Sequence, residues 1–208
     1  SSIQAARCGP RAEPPEALQP PHARLRRRPG GLAGAMPMVG LFMKATLENV
    51  REIHFPENTE WTLDVQQSGS TEVRERITIN AQDEFEVPNS KNATANFLVK
   101  FEGAKAPSSI NMVTPTRSDL KLKDLKNAKL GEYPEDKSGQ HHLIAVFECR
   151  GAEPCRWYPV GPFRVTSTGG QQWEEADLSD ADGWCEYDEK AELSVMISEL
   201  EFEFRTVK

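Results

Sequence analysis

Cys149, Cys155 and Cys185, with His141 and His142 just ahead of the first, are the side chains best suited to metal chemistry in this chain. Cys149 and Cys155 lie six residues apart, and no metal-finger spacing is present. A metalloprotein using these three cysteines is one alternative function. The plainer reading makes Cys149 a small buried hydrophobe at a strand end, the usual fate of a free cysteine. The stretch from Leu178 to Glu189 matches a calcium loop at its third, fifth, sixth and twelfth positions, with Asp180, Asp182, Gly183 and Glu189. Leu178 stands where the first oxygen ligand is needed and no amphipathic helices flank the loop, so an acidic surface loop with an Asp-Gly turn is expected. Asp188 and Glu189 are paired carboxylates of the kind that does acid–base work. Neighbours on a strand face opposite sides, so the two are not expected to converge on one substrate. Arg150 with Glu148 and Glu153 is expected to form an ion-pair cluster fixing the loop after a strand.

The chain holds no nucleophile elbow, phosphate-binding loop or zinc-protease helix motif. Ser167-Thr-Gly-Gly170 lacks the Gly-Lys-Ser/Thr ending that holds phosphates, and Asn92-Ala-Thr94 is a glycosylation sequon with no secretory signal beside it. No catalysis is predicted, and an enzyme whose pocket is not visible in the spacing is the second alternative.

The elements that must position these residues read as strands. Val39–Val50, Trp61–Val65, Arg76–Asn80, Asn96–Phe101, Ser109–Val113, His142–Phe147 and Phe163–Ser167 are short runs of β-branched and aromatic residues between Gly, Pro, Asn and Ser clusters. A further run, Glu192–Arg205, ends with Leu200, Phe202 and Phe204 alternating with Glu199, Glu201 and Glu203, the pattern of a strand with one wet face. Ala45-Thr-Leu-Glu48 and Ala145-Val-Phe-Glu148 echo one another, which suggests two similar β halves.

Charge is unevenly spread. The net −7 of the 208 residues conceals six arginines and two glutamates within residues 1–35, leaving 19 basic and 30 acidic side chains in residues 36–208. A surface that acidic repels phosphate backbones, so nucleic acid is not an expected partner. No run reaches the eighteen or so apolar residues that cross a bilayer as a helix, and no membrane association is expected. Residues 1–35 contain six prolines and four glycines and little apolar periodicity. They are expected to be a disordered leader or processing remnant, with Met36 or Met38 as the natural start. Mitochondrial import is implied only if the Arg-rich stretch is a transit peptide, and the prolines oppose the amphipathic helix that this needs. The four irregularly spaced cysteines point to a cytoplasmic protein, with the nucleus also open to it.

Glu148-Cys-Arg-Gly-Ala-Glu-Pro154, with Ala45–Val50 before it and Tyr187-Asp-Glu-Lys190 after it, resembles the CXXC-motif zinc-binding protein family, over about Leu41 to Arg205. The motif residues are Glu148, Cys149, Arg150, Gly151, Glu153, Pro154, Tyr187, Asp188, Glu189 and Lys190. The resemblance implies two β-rich halves with a structural zinc held by two CxxC pairs in the first. Four thiolates in two such turns form a closed tetrahedral cage that stabilises the fold without an open position for catalysis. Set on the family pattern, the first pair falls at Gln67 and Ser70 and the second at Phe101 and Ala104. No cysteine lies between residues 9 and 148. Zinc, the family's metal, is therefore predicted absent, with Phe101 and Ala104 filling the space as an apolar plug worth about 1.5–3 kcal/mol for the phenylalanine.

The expected architecture is all-β, two pseudo-related sandwich-like or barrel-like halves forming one unit: an N-terminal half over 36–113, a polar connector over 114–141 and a C-terminal half over 142–208. The expected function is that of a non-enzymatic, monomeric intracellular accessory protein with a protein partner of unknown identity, no cofactor and a degenerate metal site.

Overall fold

The computed structural model describes residues 37–114 and 129–207. The expectations for residues 1–35, and those for residues 115–128 of the connector, lie outside the described residues. The described residues belong to one compact unit, Leu32–Lys208. The described residues are all-β, and their curled sheets form a half-barrel.

Among the described residues fifteen strands follow one another: β1 (Met38–Glu48), β2 (Val50–His54), β3 (Trp61–Gln67), β4 (Val73–Ile79), β5 (Phe85–Glu86), β6 (Thr94–Ala95), β7 (Phe97–Val99) and β8 (Ser108–Met112), then β9 (Glu132–Pro134), β10 (His142–Arg150), β11 (Ala152–Tyr158), β12 (Phe163–Ser167), β13 (Gln172–Ala176), β14 (Trp184–Asp188) and β15 (Leu193–Thr206). They build sheets of order β14-β15-β1-β10-β8-β7, β11-β3-β4 and β13-β12-β2-β9, with a small β5-β6 ribbon. Each of the three larger sheets takes strands from both sides of residues 115–128: β1 pairs antiparallel with β10 and β15, β2 with β12 and β9, and β3 with β11.

The single expected strand over Val39–Val50 ends earlier than its residue types suggest. Asn49 adopts a left-handed φ of 57°, which a short polar side chain tolerates. There β1 stops, and β2 continues in another sheet. Residues 129–141, expected as polar connector, contain β9 and a 3-10 turn, Glu135–Lys137. Tyr133 is the reason: it is fully buried, and its hydroxyl accepts the Ala45 N–H at 3.0 Å while facing the carbonyls of Lys137 at 2.7 Å and of Ala45 and Gln140 at 3.1 Å. One aromatic side chain thus pins this otherwise polar segment to β1, where its pairing with β15 shifts register between Lys44 and Thr46.

The core is aromatic. Phe55 stacks on Trp61 at 5.5 Å between centroids and meets Phe163 edge-on at 5.0 Å and Trp157 at 6.2 Å. Such pairs add about 0.5–1.5 kcal/mol each beyond the area they bury. Leu200, Phe202 and Phe204 pack against this core from β15, while Glu199 and Glu201 are exposed.

Candidate functional site

The four positions marked from the sequence fall in two turns of one design. β3 and β4 form an antiparallel hairpin, and at its tip the Ser70 N–H donates to the Gln67 carbonyl at 3.1 Å. β7 and β8 form a second hairpin, and in its loop the Ala104 N–H donates to the Phe101 carbonyl at 3.2 Å. The third residue of each turn is a glycine at positive φ, Gly69 at 83° and Gly103 at 70°, where an L side chain is strained.

The two turns lie side by side. The Glu102 N–H donates to the Glu72 carboxylate at 3.4 Å, and the Arg74 guanidinium sits 5.6 Å from the centre of the Phe101 ring while pairing with Glu72 at 3.0 Å. The first turn is further braced by Gln66, whose amide donates to the Ser70 carbonyl at 2.7 Å, and by the Ser70 hydroxyl, which accepts the Glu72 N–H at 3.1 Å.

Gln67 and Ser70 are half-buried; Phe101 is fully buried in the main core and Ala104 packs against its edge. Neither turn carries a thiol, and a glutamine amide, a serine hydroxyl, a phenyl ring and a methyl group do not make the thiolate cage that holds structural zinc. The donor set does not fit that metal.

The first motif stretch holds this module. At Gly151, with φ of 78°, the chain leaves β10 in the six-stranded sheet and enters β11 in the three-stranded one. Its carbonyl accepts the Ser68 N–H at 3.0 Å, Ala152 pairs with Gln67 and Glu153 with Gln66, and the Glu153 carboxylate accepts the Ser68 hydroxyl at 3.3 Å. A Cβ on Gly151 would come 2.8 Å from the Ser108 hydroxyl, so this corner also abuts the start of β8. Pro154 is accommodated because β11 is an edge strand, where a missing N–H leaves no ladder bond unmade.

The second motif stretch does different work. Asp188 is fully buried and Glu189 exposed, so the two carboxylates do not converge. Asp188 accepts the Ser167 hydroxyl at 2.6 Å and the N–H groups of Lys190 at 3.1 Å and Ala191 at 3.0 Å; Ser167 in turn accepts the Gln171 N–H at 2.9 Å. The Ser167 hydroxyl above all, and then the Ala191 N–H, hold the Asp188 carboxyl below its ordinary range against the opposing effect of burial. The latch ties the end of β12 to the end of β14, and a Cβ on Gly169 would collide with it at 2.4 Å. Tyr187, Glu189 and Lys190 face outward.

The three later cysteines do not come together as a metal site. Cys149 is buried, its thiol pushed up by burial and facing the Phe147 carbonyl at 3.6 Å. Cys155, on another sheet, faces the Asp64 carbonyl at 3.4 Å, and burial pushes its thiol up to about 11. Cys185 is exposed on β14. Among the described residues no group of three or more His, Cys, Asp or Glu side chains could hold a metal ion. The expected acidic loop over Leu178–Glu189 is a loop only in its first half, where the Asp177 and Asp180 carboxylates accept the N–H groups of Ser179 and Asp182 at 2.8 and 3.0 Å and Leu178 is buried; Trp184–Asp188 instead pair with β15 as β14.

Sequence reasoning missed Tyr133 and Ser167. Tyr133 sits in a polar stretch with no alternation to mark it, and Ser167 gains its role only through a partner 21 residues away.

A family model described as CXXC motif containing zinc binding protein, eukaryotic, matches residues 40–205. The chain belongs to that family. It is 36% identical over 176 residues to UPF0587 protein CG4646 of Drosophila melanogaster, covering 83% of this chain and 99% of the relative. It is 27% identical over 172 residues to the human CXXC motif containing zinc binding protein, covering 81% and 98%. Among solved structures, a hypothetical protein from Plasmodium falciparum superposes with a TM-score of 0.69 at 32% identity, over 81% of this chain and 99% of that one. The structure of C1orf123 gives the same TM-score and coverage at 24% identity and so speaks to the fold alone. Among the described residues no helix is long and apolar enough to cross a membrane.

Proposed function

We propose that this chain is a metal-independent member of its family: a non-enzymatic accessory protein that keeps the paired turns as a scaffold and presents the surrounding surface to a protein partner. The observation that carries this is Phe101, fully buried at the head of the second turn. A zinc cage stabilises such turns by binding deprotonated ligands, and its binding energy becomes folding energy. Here burial of the phenylalanine, the Arg74–Glu72 pair over it and the backbone closures of both turns take that place. The acidic balance of residues 36–208 supports a partner other than nucleic acid, and the free thiols of Cys149, Cys155 and Cys185 support the cytoplasm or nucleus as the place of action.

Thermal melting with and without a strong chelator tests this reading. The expected result is one melting temperature in both samples. A drop of several degrees on chelation would mean that a metal holds the fold together and that the ligands lie elsewhere.

A further inference from the structure

Asp64, near the middle of β3, is flanked by irregularities on both sides: β3 and β4 shift register between Leu63 and Val65, and β11 and β3 shift between Pro154 and Arg156. Leu63 and Val65 point into the core, so Asp64 faces out, yet it is buried by what covers it. Its two carboxylate oxygens are both engaged by groups other than guanidinium: Oδ1 accepts the Arg76 backbone N–H at 2.8 Å and Oδ2 the Tyr158 hydroxyl at 3.0 Å. Arg76 itself is held at a φ of 49°, a left-handed conformation that non-glycine residues seldom adopt and that concentrates at binding sites.

The Tyr158 ring, fixed at its hydroxyl by Asp64, carries two cations. The guanidinium of Arg76 lies 4.5 Å from its centroid and that of Arg156 lies 5.0 Å away. Both arginines are exposed, and neither lies within ion-pair distance of a carboxylate among the described residues. Elsewhere the acidic surface supplies partners: Arg74 pairs with Glu72, Arg164 with Glu174, and Lys44 with Glu201. Two guanidiniums and one carboxylate leave the corner with an excess positive charge in a segment that is acidic as a whole.

We propose that this bulged corner is a binding site for one compact oxyanion, a phosphate monoester or a carboxylate, gripped by the forks of Arg76 and Arg156 beside the Tyr158 ring. Guanidinium forks match both anions in bidentate geometry, and stacking on the ring pre-orients them while leaving their donors free. The surrounding acidic field disfavours extended polyanions and leaves a single small anionic group as the ligand that fits.

The test is a low-salt titration of the full chain with inorganic phosphate and, separately, with acetate, following the arginine side-chain Nε–H signals by NMR. Arg164, paired with Glu174, serves as the internal reference. Saturable shifts at Arg76 and Arg156 that Arg164 does not share are expected, with affinity lowered tenfold or more in Arg156→Gln and to a lesser degree in Arg156→Lys. Saturation by phosphate alone identifies a phosphate monoester as the natural group, and saturation by acetate alone a carboxylate. Shifts that fail to saturate with either anion, or that match those of Arg164, would overturn the proposal. So would an affinity unchanged in both variants. Should Arg156→Gln not fold, the wild-type titration and the lysine variant decide the matter.

Discussion

Phe101 and Asp188 carry opposite kinds of chemistry, yet each is buried where it fixes a turn. Replacing Phe101 with alanine removes a buried ring from the main core, and a loss of about 3–5 kcal/mol in urea unfolding is expected. Asp188 works through hydrogen bonds to its charged form. Because its folded carboxyl titrates below the unfolded one, its contribution is fully present above the ordinary carboxylate range and is lost as pH falls through the folded value. Asp188→Asn is therefore expected to be less stable than the native chain at pH 7, with the gap narrowing as unfolding is repeated at pH 4 and pH 3. A gap independent of pH would show that the charge has no part in the latch. At this scale the sequence was informative about type and silent about partner. Cys149 was legible as a buried hydrophobe because free cysteine usually is one, and Asp188 as separate from Glu189 because neighbours on a strand face opposite sides. The Ser167–Asp188 bond was not, since nothing local marks two residues that meet only in the folded chain.

The strands were legible where one face is buried and the other wet. The sequence located β1, β3, β4, β7, β8, β10, β12 and β15, with ends displaced by a few residues. It missed the shorter β2, β5, β6, β13 and β14, as well as β11, where Pro154 argues against a strand unless the strand is known to lie at an edge, and β9, whose anchor is the single side chain of Tyr133. The corner between β10 and β11 depends on Gly151 for two reasons, its positive φ and the approach of Ser108. Gly151→Ala is expected to cost at least about 1–2 kcal/mol for the left-handed backbone alone. Pairing it with Ser108→Ala should recover the steric share and leave the conformational one, which a double-mutant cycle in urea separates. Full additivity of the two substitutions would place Ser108 outside that corner.

At the scale of the molecule, the family's fold is carried by sheets that interleave both parts of the chain, with the paired turns at the tips of the β3–β4 and β7–β8 hairpins. Composition and periodicity reached the all-β class but not the strand order, because register between distant segments is set by which faces they bury together. Relatives of this chain are named for binding zinc; this chain offers no thiol at either turn. The most direct test is the zinc content of the full chain, produced in zinc-replete medium, purified without chelator and measured by elemental analysis at known protein concentration. Far less than one zinc per chain is expected. One zinc per chain, retained through gel filtration, would contradict it and show that a metal still closes this fold.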